Sequence, residues 1–512
     1  MKFKGKIFCS QVAAHLLNEN EPCGLKSLAV RVLKVDPKDI LKYKEASNGG
    51  HSTKKFYNYA INDAIWTWQL YEIEKPLLES QGLHHLFYDI EMPFTNVLVD
   101  LFINGVKINQ EKLVQFEKFL TKERVKYAEL AYNSINKKTL VETDLFGGEI
   151  KTAPMNLNSP VQVAKTITDL GIKLPKNEKD NCMTGVEVLE PIKDKADFIK
   201  YLLKYRKAEK QLNTFCHPYF GLIDADGRIR TSFNDCVAVT GRLSSSHPNL
   251  QNIPRESSEE DLVNVRELFI AKKGYKLIIA DYSAEELRQL ANVSNDPVLI
   301  DAFNTNKDLH LVSANGCLGL GIPPEKMVQT HPEFKAIKEK YDAERHIGKN
   351  GINFPIIYGS TAVGVAKGNK VTEKVAQGWI DGFFKMYPGV QKALLKCKRE
   401  VYRNHYVTNH FGRRRRFYEV TNKAIRQAFN HWIQGSCADI LRIVMVQLRQ
   451  LYIDNPIWDA KMVLTVHDSI DIEVKEEFAQ ECLEKTRQVM ENAIVLQVPF
   501  LVDISIGDDI DG

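Results

Sequence analysis

A chain of 512 residues exceeds what one hydrophobic core accommodates, so several subdomains are expected. Its 44% hydrophobic and 26% charged residues exclude a largely disordered protein, and no apolar run is long enough to span a bilayer. The net charge of +4 excludes little, but cations gather between Lys200 and Lys210 and at Arg413, Arg414, Arg415 and Arg416, the latter beside Phe411, Phe417 and Tyr418. Such mixtures suit a nucleic-acid backbone, while each cluster taken singly also fits a solvated charged face. Nine scattered cysteines without paired spacing fit a reducing compartment and make structural zinc improbable. No apolar segment follows the basic start, Met1 to Lys6, so no signal peptide is expected and a cytoplasmic location is read.

Residues 1 to about 80 read as an α/β fragment with a helical pattern from Lys54 to Leu83. Tyr59 and Asp63 share one face of that helix, and a lone carboxylate there points to structure rather than to a metal pair. Residues 85 to 235 read as mostly helical. An apolar helix from Met92 is broken at Asn104-Gly105, and a Lys-rich helix runs from Gln110 to Ile135. A polar stretch follows with a hairpin turn at Gly147-Gly148, then a helix start at Ser159-Pro160 and a basic helix from Lys200 to Phe215. Long helices with a flexible tip between them make an arm able to grip a duplex.

Ile223 to Val239 predicts a β-hairpin turning at Asp226-Gly227. The next segment, Thr240 to Pro254, reads as a ligand-facing loop, because Arg242, Gln251 and Asn252 are of the kinds that contact phosphates and base edges. Leu277 to Ala280 reads as a buried strand ended by Asp281, with helical periodicity from Ala284. Taken alone, Asp281 reads as a helix cap. Residues 286 to 422 are largely helical, and one long helix is expected from Lys423 to Arg449, with Arg426, Asn430 and Gln434 as a polar stripe. Met462 to Val474 predicts two strands turning at His467-Asp468, and Phe500 to Ile504 a further strand.

Asp281 and Asp468 thus each end an apolar strand, with a helix rich in cations and aromatics between them. Two such carboxylates suit phosphoryl transfer by two divalent ions about 3.5–4 Å apart. A positive helix would neutralise a triphosphate.

From about Phe87 onward the chain resembles the family A DNA polymerases. The carrying motifs are Asp281-Tyr282-Ser283 with Glu286-Leu287-Arg288, residues 345–359, and Val466-His467-Asp468. The loop Thr240 to Pro254, Asp308-Leu309-His310, Phe411 to Arg415 and the Arg426, Asn430, Gln434-Gly435 series also match. The resemblance implies an α+β right-hand polymerase fold: an antiparallel palm sheet, helical fingers and thumb, and a partial α/β exonuclease-like segment. The spans would be a remnant exonuclease-like region at 1–84, a thumb at 85–222, palm at 223–300 and 423–512, and fingers at 301–422. Asp281 and Asp468, with the Tyr282 carbonyl, would hold two Mg2+ ions, for which Mn2+ can substitute. Glu286 would exclude a ribose 2′ hydroxyl, Phe354 would pack on the sugar, and Tyr358 would stack at the primer–template terminus. His310, Arg345, His346 and Lys349 would face the triphosphate, with Lys349 protonating pyrophosphate. Arg242, Gln251, Asn252, Arg426, Asn430, Gln434 and His467 would contact DNA.

Four features depart from the family pattern. Ala284 and Glu285 replace its usual Gln and Ile, leaving a charge at a position expected to be buried. Ser469 stands where a third carboxylate is usual. Lys349 and Phe354 are five apart instead of four, which on a regular helix separates them by roughly 140° and puts His346 and Asn350 in the cation positions. Pro355 cannot donate to the Gly351 carbonyl, so a one-residue π-bulge near Gly351 is expected to restore Arg345 and Lys349. Near the N-terminus, Tyr59 to Asp63 resembles only the last exonuclease motif, so proofreading by this chain alone is expected to fail. The compact length and divergent helix suggest a bacteriophage or similar mobile element.

The reading is a monomeric, template-directed DNA polymerase of DNA replication or repair. Its partners would be primer–template DNA, deoxynucleoside triphosphates and a separate exonuclease or processivity factor, with no membrane. A single-subunit RNA polymerase is the alternative enzyme, disfavoured by Glu286. A catalytically inactive DNA-binding homologue is disfavoured by the intact aspartates.

Overall fold

The computed structural model describes residues 6–48, 50–136, 140–143, 149–152, 154–177, 179–254 and 262–512. The Gly147-Gly148 turn lies outside the described residues. The chain forms two compact units. The first contains residues up to Ile103, Ser232–Ser246 and Ile278–Ile506; the second contains Asn104–Thr231, His247–Leu277 and Gly507–Gly512.

The first unit is organised on a four-stranded sheet in the order Lys461–Val466, Ser469–Lys475, Tyr275–Tyr282, Val502–Gly507. The β-branched and apolar runs of these strands suit a buried pleat. Ile278, Ala280 and Tyr282 pack with Phe94, Val97 and Leu101 of the Met92–Asn104 helix. The same core takes Ile440, Val444 and Leu448 from the Ser436–Asp454 helix. Val466 pairs with Ser469, so His467 and Asp468 form the expected two-residue turn, with His467 at φ 60°. A second core joins Leu287 and Leu290 to Ile352, Ile356, Phe383 and Phe429, fixing the helices that follow the sheet strand.

Several expectations change. Residues 6–84 are helical among the described residues, with no strand, where an α/β fragment was expected. Trp66, Leu70, Glu74 and Leu78 recur every fourth residue and form the buried stripe of the Lys54–Ser80 helix, so helix packs on helix. Asp63 ion-pairs with Lys26, whose ammonium also lies 4.1 Å from the Tyr59 ring centroid, which fits a structural role for that pair. The Thr240–Pro254 segment is not all loop. Ser244–Ser246 pairs antiparallel with Ser232–Asn234, a long-range pairing that three serines do not announce. The Asp226-Gly227 turn does form, with Gly227 at φ 72° donating to Asp224 O at 2.8 Å. The single helix expected over 423–449 is interrupted: Asn422–Asn430 passes through a π-turn at His431–Gly435 into Ser436–Asp454.

The arginine run is also a correction. Arg413 is buried and donates to Asp439 at 3.0 Å (Nε to Oδ1) and to Glu91, while Arg442 lies 3.4 Å from Glu91. Asn409 donates to Asp439 at 2.7 Å, and His431 Nε2 meets the Arg413 carbonyl at 3.1 Å. Arg414 reaches the Gln81 carbonyl at 2.6 Å, and Arg415 and Arg416 reach Glu19 at 3.1 and 2.8 Å. These guanidinium groups tie the N-terminal helices to the rest of the unit, so they are neither a solvated face nor one free for a phosphate backbone. A buried arginine persists only with such partners.

In the second unit the Gln110–Asn133 and Asp197–Gln211 helices share a core of Tyr132, Val163, Ile167, Phe198 and Leu202. A three-stranded sheet orders Arg228–Ile229, Val106–Ile108 and Phe269–Ile270. Among the described residues no helix is long and apolar enough to cross a membrane.

Candidate active site

The site begins at the sheet. Asp281 is the penultimate residue of the Tyr275–Tyr282 strand, and Asp468 lies in the turn entering the adjacent Ser469–Lys475 strand. Asp281 does not cap the following helix. That helix starts at Glu285 after Ala284, which adopts φ 53° and makes no side-chain cap. The Tyr282 hydroxyl is turned into the core and donates to the Met490 carbonyl at 2.8 Å. The donors that sequence reasoning selected are thus two carboxylates and a carbonyl, hard oxygens of the kind magnesium takes. Among the described residues no group of three or more His, Cys, Asp or Glu has metal-binding geometry.

Five residues after Asp281, in the first turn of the helix, the Glu286 carboxylate collects donors from three other segments. Arg242 donates to Oε1, Gln434 donates to the same oxygen at 3.2 Å, and the Tyr358 hydroxyl donates to Oε2 at 2.5 Å. Gln434 in turn accepts from Asn430 at 3.1 Å. The buried Asn430 Oδ1 meets no donor among the described residues. The Tyr358 ring stacks on Phe354, with centroids 6.2 Å apart and an interplanar angle of 12°. Burial and the neighbouring Glu286 push the Tyr358 hydroxyl pKa up, so it stays a donor at neutral pH. The Arg426 side chain lies against Gly359, where a Cβ would come within 2.5 Å of it.

The Ile347–Asn353 segment is a π-helix, and Phe354 N–H bonds to the Lys349 carbonyl five residues back. The extra residue is therefore absorbed where it was expected, around Gly351. Gly348 packs tightly on the Leu309–Leu318 helix, since a Cβ would sit 2.1 Å from the His310 carbonyl. Arg345 donates to Asp308 at 2.7 Å, and Asn353 Nδ2 lies 3.1 Å from His310 Nδ1. Burial, with Arg345 and Lys349 nearby, holds the His310 pKa well below the usual histidine range, so the ring is neutral. His346 and Asn350 instead pair with each other at 3.0 Å on the exposed side. The π-turn thus puts Arg345 and Lys349, rather than His346, beside His310.

Sequence reasoning selected Arg242, Glu286, Tyr358, Asn430 and Gln434, and the structure joins them in one hydrogen-bonded group. It did not find Asn353 or the anchoring role of Asp308, though Asp308 precedes a helix at a capping position. Gln251 and Asn252 lie in a short turn, Leu250–Asn252, in the second compact unit, and His467 is exposed in its hairpin turn.

The charge at Glu285 now has a physical account. The side chain is 5% exposed, and burial, reinforced by the neighbouring Glu286 and Asp281 carboxylates, raises its pKa to about 8. It is a neutral acid at pH 7 beside the buried Cys437 thiol, and its Oε1 meets no donor among the described residues.

A small antiparallel sheet carrying paired acids, flanked by helices that present cations and aromatics, defines the right-hand polymerase class. Residues 131–511 match the model of DNA polymerase family A. The DNA polymerase I of Caldicellulosiruptor bescii is 32% identical over 441 residues, covering 84% of this chain and 48% of that protein. The DNA polymerase I of Borreliella burgdorferi is 31% identical over 512 residues, 98% of this chain and 52% of that protein. A solved POL domain of Pol1 from M. smegmatis, in complex with DNA primer-template and dNTP, superposes with a TM-score of 0.81 at 28% identity, covering 98% of this chain and 81% of that one. The chain belongs to DNA polymerase family A. It spans about half the length of the curated relatives it matches.

Proposed function

We propose that this chain is a template-directed DNA polymerase that adds deoxynucleotides to a primer 3′ end. The observation that carries the proposal is the arrangement at the sheet: Asp281 near the end of one strand and Asp468 in the turn entering its neighbour, with Glu286, five residues after Asp281, held by three donors. Primer–template DNA and deoxynucleoside triphosphates, the ligands of the M. smegmatis domain, are the corresponding partners. Asp281, Asp468 and the Tyr282 carbonyl would hold magnesium, with manganese as substitute. Bound ions supply charge stabilisation to the entering and leaving oxygens.

The remaining roles fall to this chain's own groups. Glu286, held by Arg242, Tyr358 and Gln434, is the group that would exclude a ribose 2′ hydroxyl. Phe354 offers its face to the sugar, and the stacked Tyr358 meets the terminal base pair. Arg345, anchored by Asp308, and Lys349 attract the triphosphate, and Lys349 delivers a proton to departing pyrophosphate. Arg426, Asn430, Gln434 and His467, with Gln251 and Asn252, contact the duplex. The domain spans are part of the same proposal: thumb 85–222, palm 223–300 and 423–512, fingers 301–422.

The test is magnesium-dependent extension of a primed template. Asp281→Ala and Asp468→Ala each abolish it, and Glu286→Ala admits ribonucleotides. Extension surviving either aspartate substitution overturns the two-carboxylate assignment. Efficient use of ribonucleotides by the unaltered protein overturns the DNA specificity.

A further inference from the structure

The Pro388–Asn404 helix carries a feature that the polymerase site does not use. Its inner face, Val390, Ala393, Cys397 and Val401, is buried in the core that also holds Phe429 and Leu287. Its outer face is cationic. Lys392, Lys396, Arg399 and Arg403 are exposed and follow one another at spacings of four, three and four. At 1.5 Å rise per residue they form a row about 16 Å long with successive charges about 4.5–6 Å apart along the axis. Leu395, 49% exposed, and Tyr402, 57% exposed, interleave with them, and a shallow groove is lined by Leu395, Lys398, Arg399, Tyr402 and Arg403. Glu400 is the one acid on the helix, and it is half-buried.

A solvated helix face ordinarily mixes both charge signs to avoid self-repulsion, and like charges at these spacings destabilise a helix. Five cations against one acid, with an exposed tyrosine and leucine among them, fit a partner that carries regularly spaced negative charge and unpaired aromatic faces. A duplex hides its base faces, whereas a single strand presents both phosphates and bases. We infer that the outer face of the Pro388–Asn404 helix binds single-stranded DNA, its cations on successive phosphates and Tyr402 against a base. The helix packs on the Asn422–Asn430 helix that carries Arg426 and Asn430, which puts this face one helix layer behind the proposed site. The strand it takes is the unpaired template; that source, but not the binding itself, rests on the polymerase reading.

The triple variant K392A/R399A/R403A tests it, with binding read by fluorescence anisotropy in the absence of nucleotide. Two primer–templates are compared, one with a 20-nucleotide 5′ overhang and one with a 2-nucleotide overhang, alongside free oligo(dT). The expected result is an affinity loss of about tenfold or more for the long overhang and for oligo(dT), with the salt slope reduced by about 2, and unchanged affinity for the short overhang. K392R/R399K/R403K retains binding, and unchanged thermal melting of the alanine variant excludes unfolding. Equal losses on both primer–templates assign the face to duplex and overturn the inference, as does no loss on either. Failure of primer extension with intact, variant-sensitive oligo(dT) binding sinks the polymerase reading alone.

Discussion

Glu285 shows how a single carboxyl can set a pH dependence. Its ordinary pKa of 4.5 rises to about 8 in the fold, and the buried Glu74 rises likewise to about 8. A folded-state pKa raised above the unfolded one gives stability that is complete below about 4.5 and is lost as pH climbs through 8. His431 has the opposite slope. Burial lowers it from 6.5 to about 4, so its contribution is complete above 6.5 and falls as pH drops toward 4. Above pH 6.5 the glutamates therefore act alone among these three groups. Glu285→Gln is expected to flatten the decline in melting temperature between pH 6.5 and 9, gaining on the order of 2–4 kcal/mol at pH 9. An unchanged pH profile contradicts a neutral Glu285. Gly359 offers a second test at this scale. It adopts φ +71°, and a Cβ would meet Arg426 carbons at 2.5 Å. Gly359→Ala should cost about 2–4 kcal/mol in chemical denaturation, a positive-φ penalty plus displacement of a proposed DNA-contacting arginine.

At the scale of elements, the π-turns decide which side chains share a face. The Ile347–Asn353 turn places Arg345 and Lys349 near His310 and leaves His346 to Asn350. Lys349→Ala should therefore lower the rate of nucleotide incorporation by about 10²-fold or more, while His346→Ala changes it less than threefold. Single-turnover measurement distinguishes them, and the reverse order would restore a straight helix. This bulge was legible in the sequence because a spacing of five and Pro355 conflict with a regular helix. The His431–Gly435 turn was not. Arg426, Asn430 and Gln434 keep a regular spacing of four, and nothing local announces that Gly435 must lie close to the Thr240 carbonyl, where a Cβ would be at 3.3 Å.

For the whole molecule, the buried arginine network is the stabilising tie between distant segments. Arg413 neutralises Asp439, which is fully buried, and Glu91, which is 2% exposed and whose pKa nearby Arg442 and Arg413 hold below the usual range despite its burial. Arg413→Met leaves two buried carboxylates undercompensated and should destabilise the first unit by about 3–5 kcal/mol, read by urea or thermal unfolding. A loss under 1 kcal/mol would mean that the network contributes little. Its partners lie 322 and 26 residues away in sequence, so the FGRRRR run reads as a DNA-facing patch until the fold is known. Composition cannot distinguish a cation that meets phosphate from one that meets a buried acid.

Local sequence determined the strand that carries Asp281, the two-residue turn that presents Asp468, the Asn104-Gly105 break and the π-bulge near Gly351. Each follows from periodicity, turn chemistry or a missing donor within a few residues. Only the tertiary structure decided that Glu286 is held by Arg242, Tyr358 and Gln434, at separations of 44, 72 and 148 residues. It also decided that Ser244–Ser246 is a strand, and that Glu285 is a neutral buried acid beside Cys437. These properties depend on which surfaces are desolvated together. Desolvation is a property of the packed chain, set by neighbours that no short window of sequence contains.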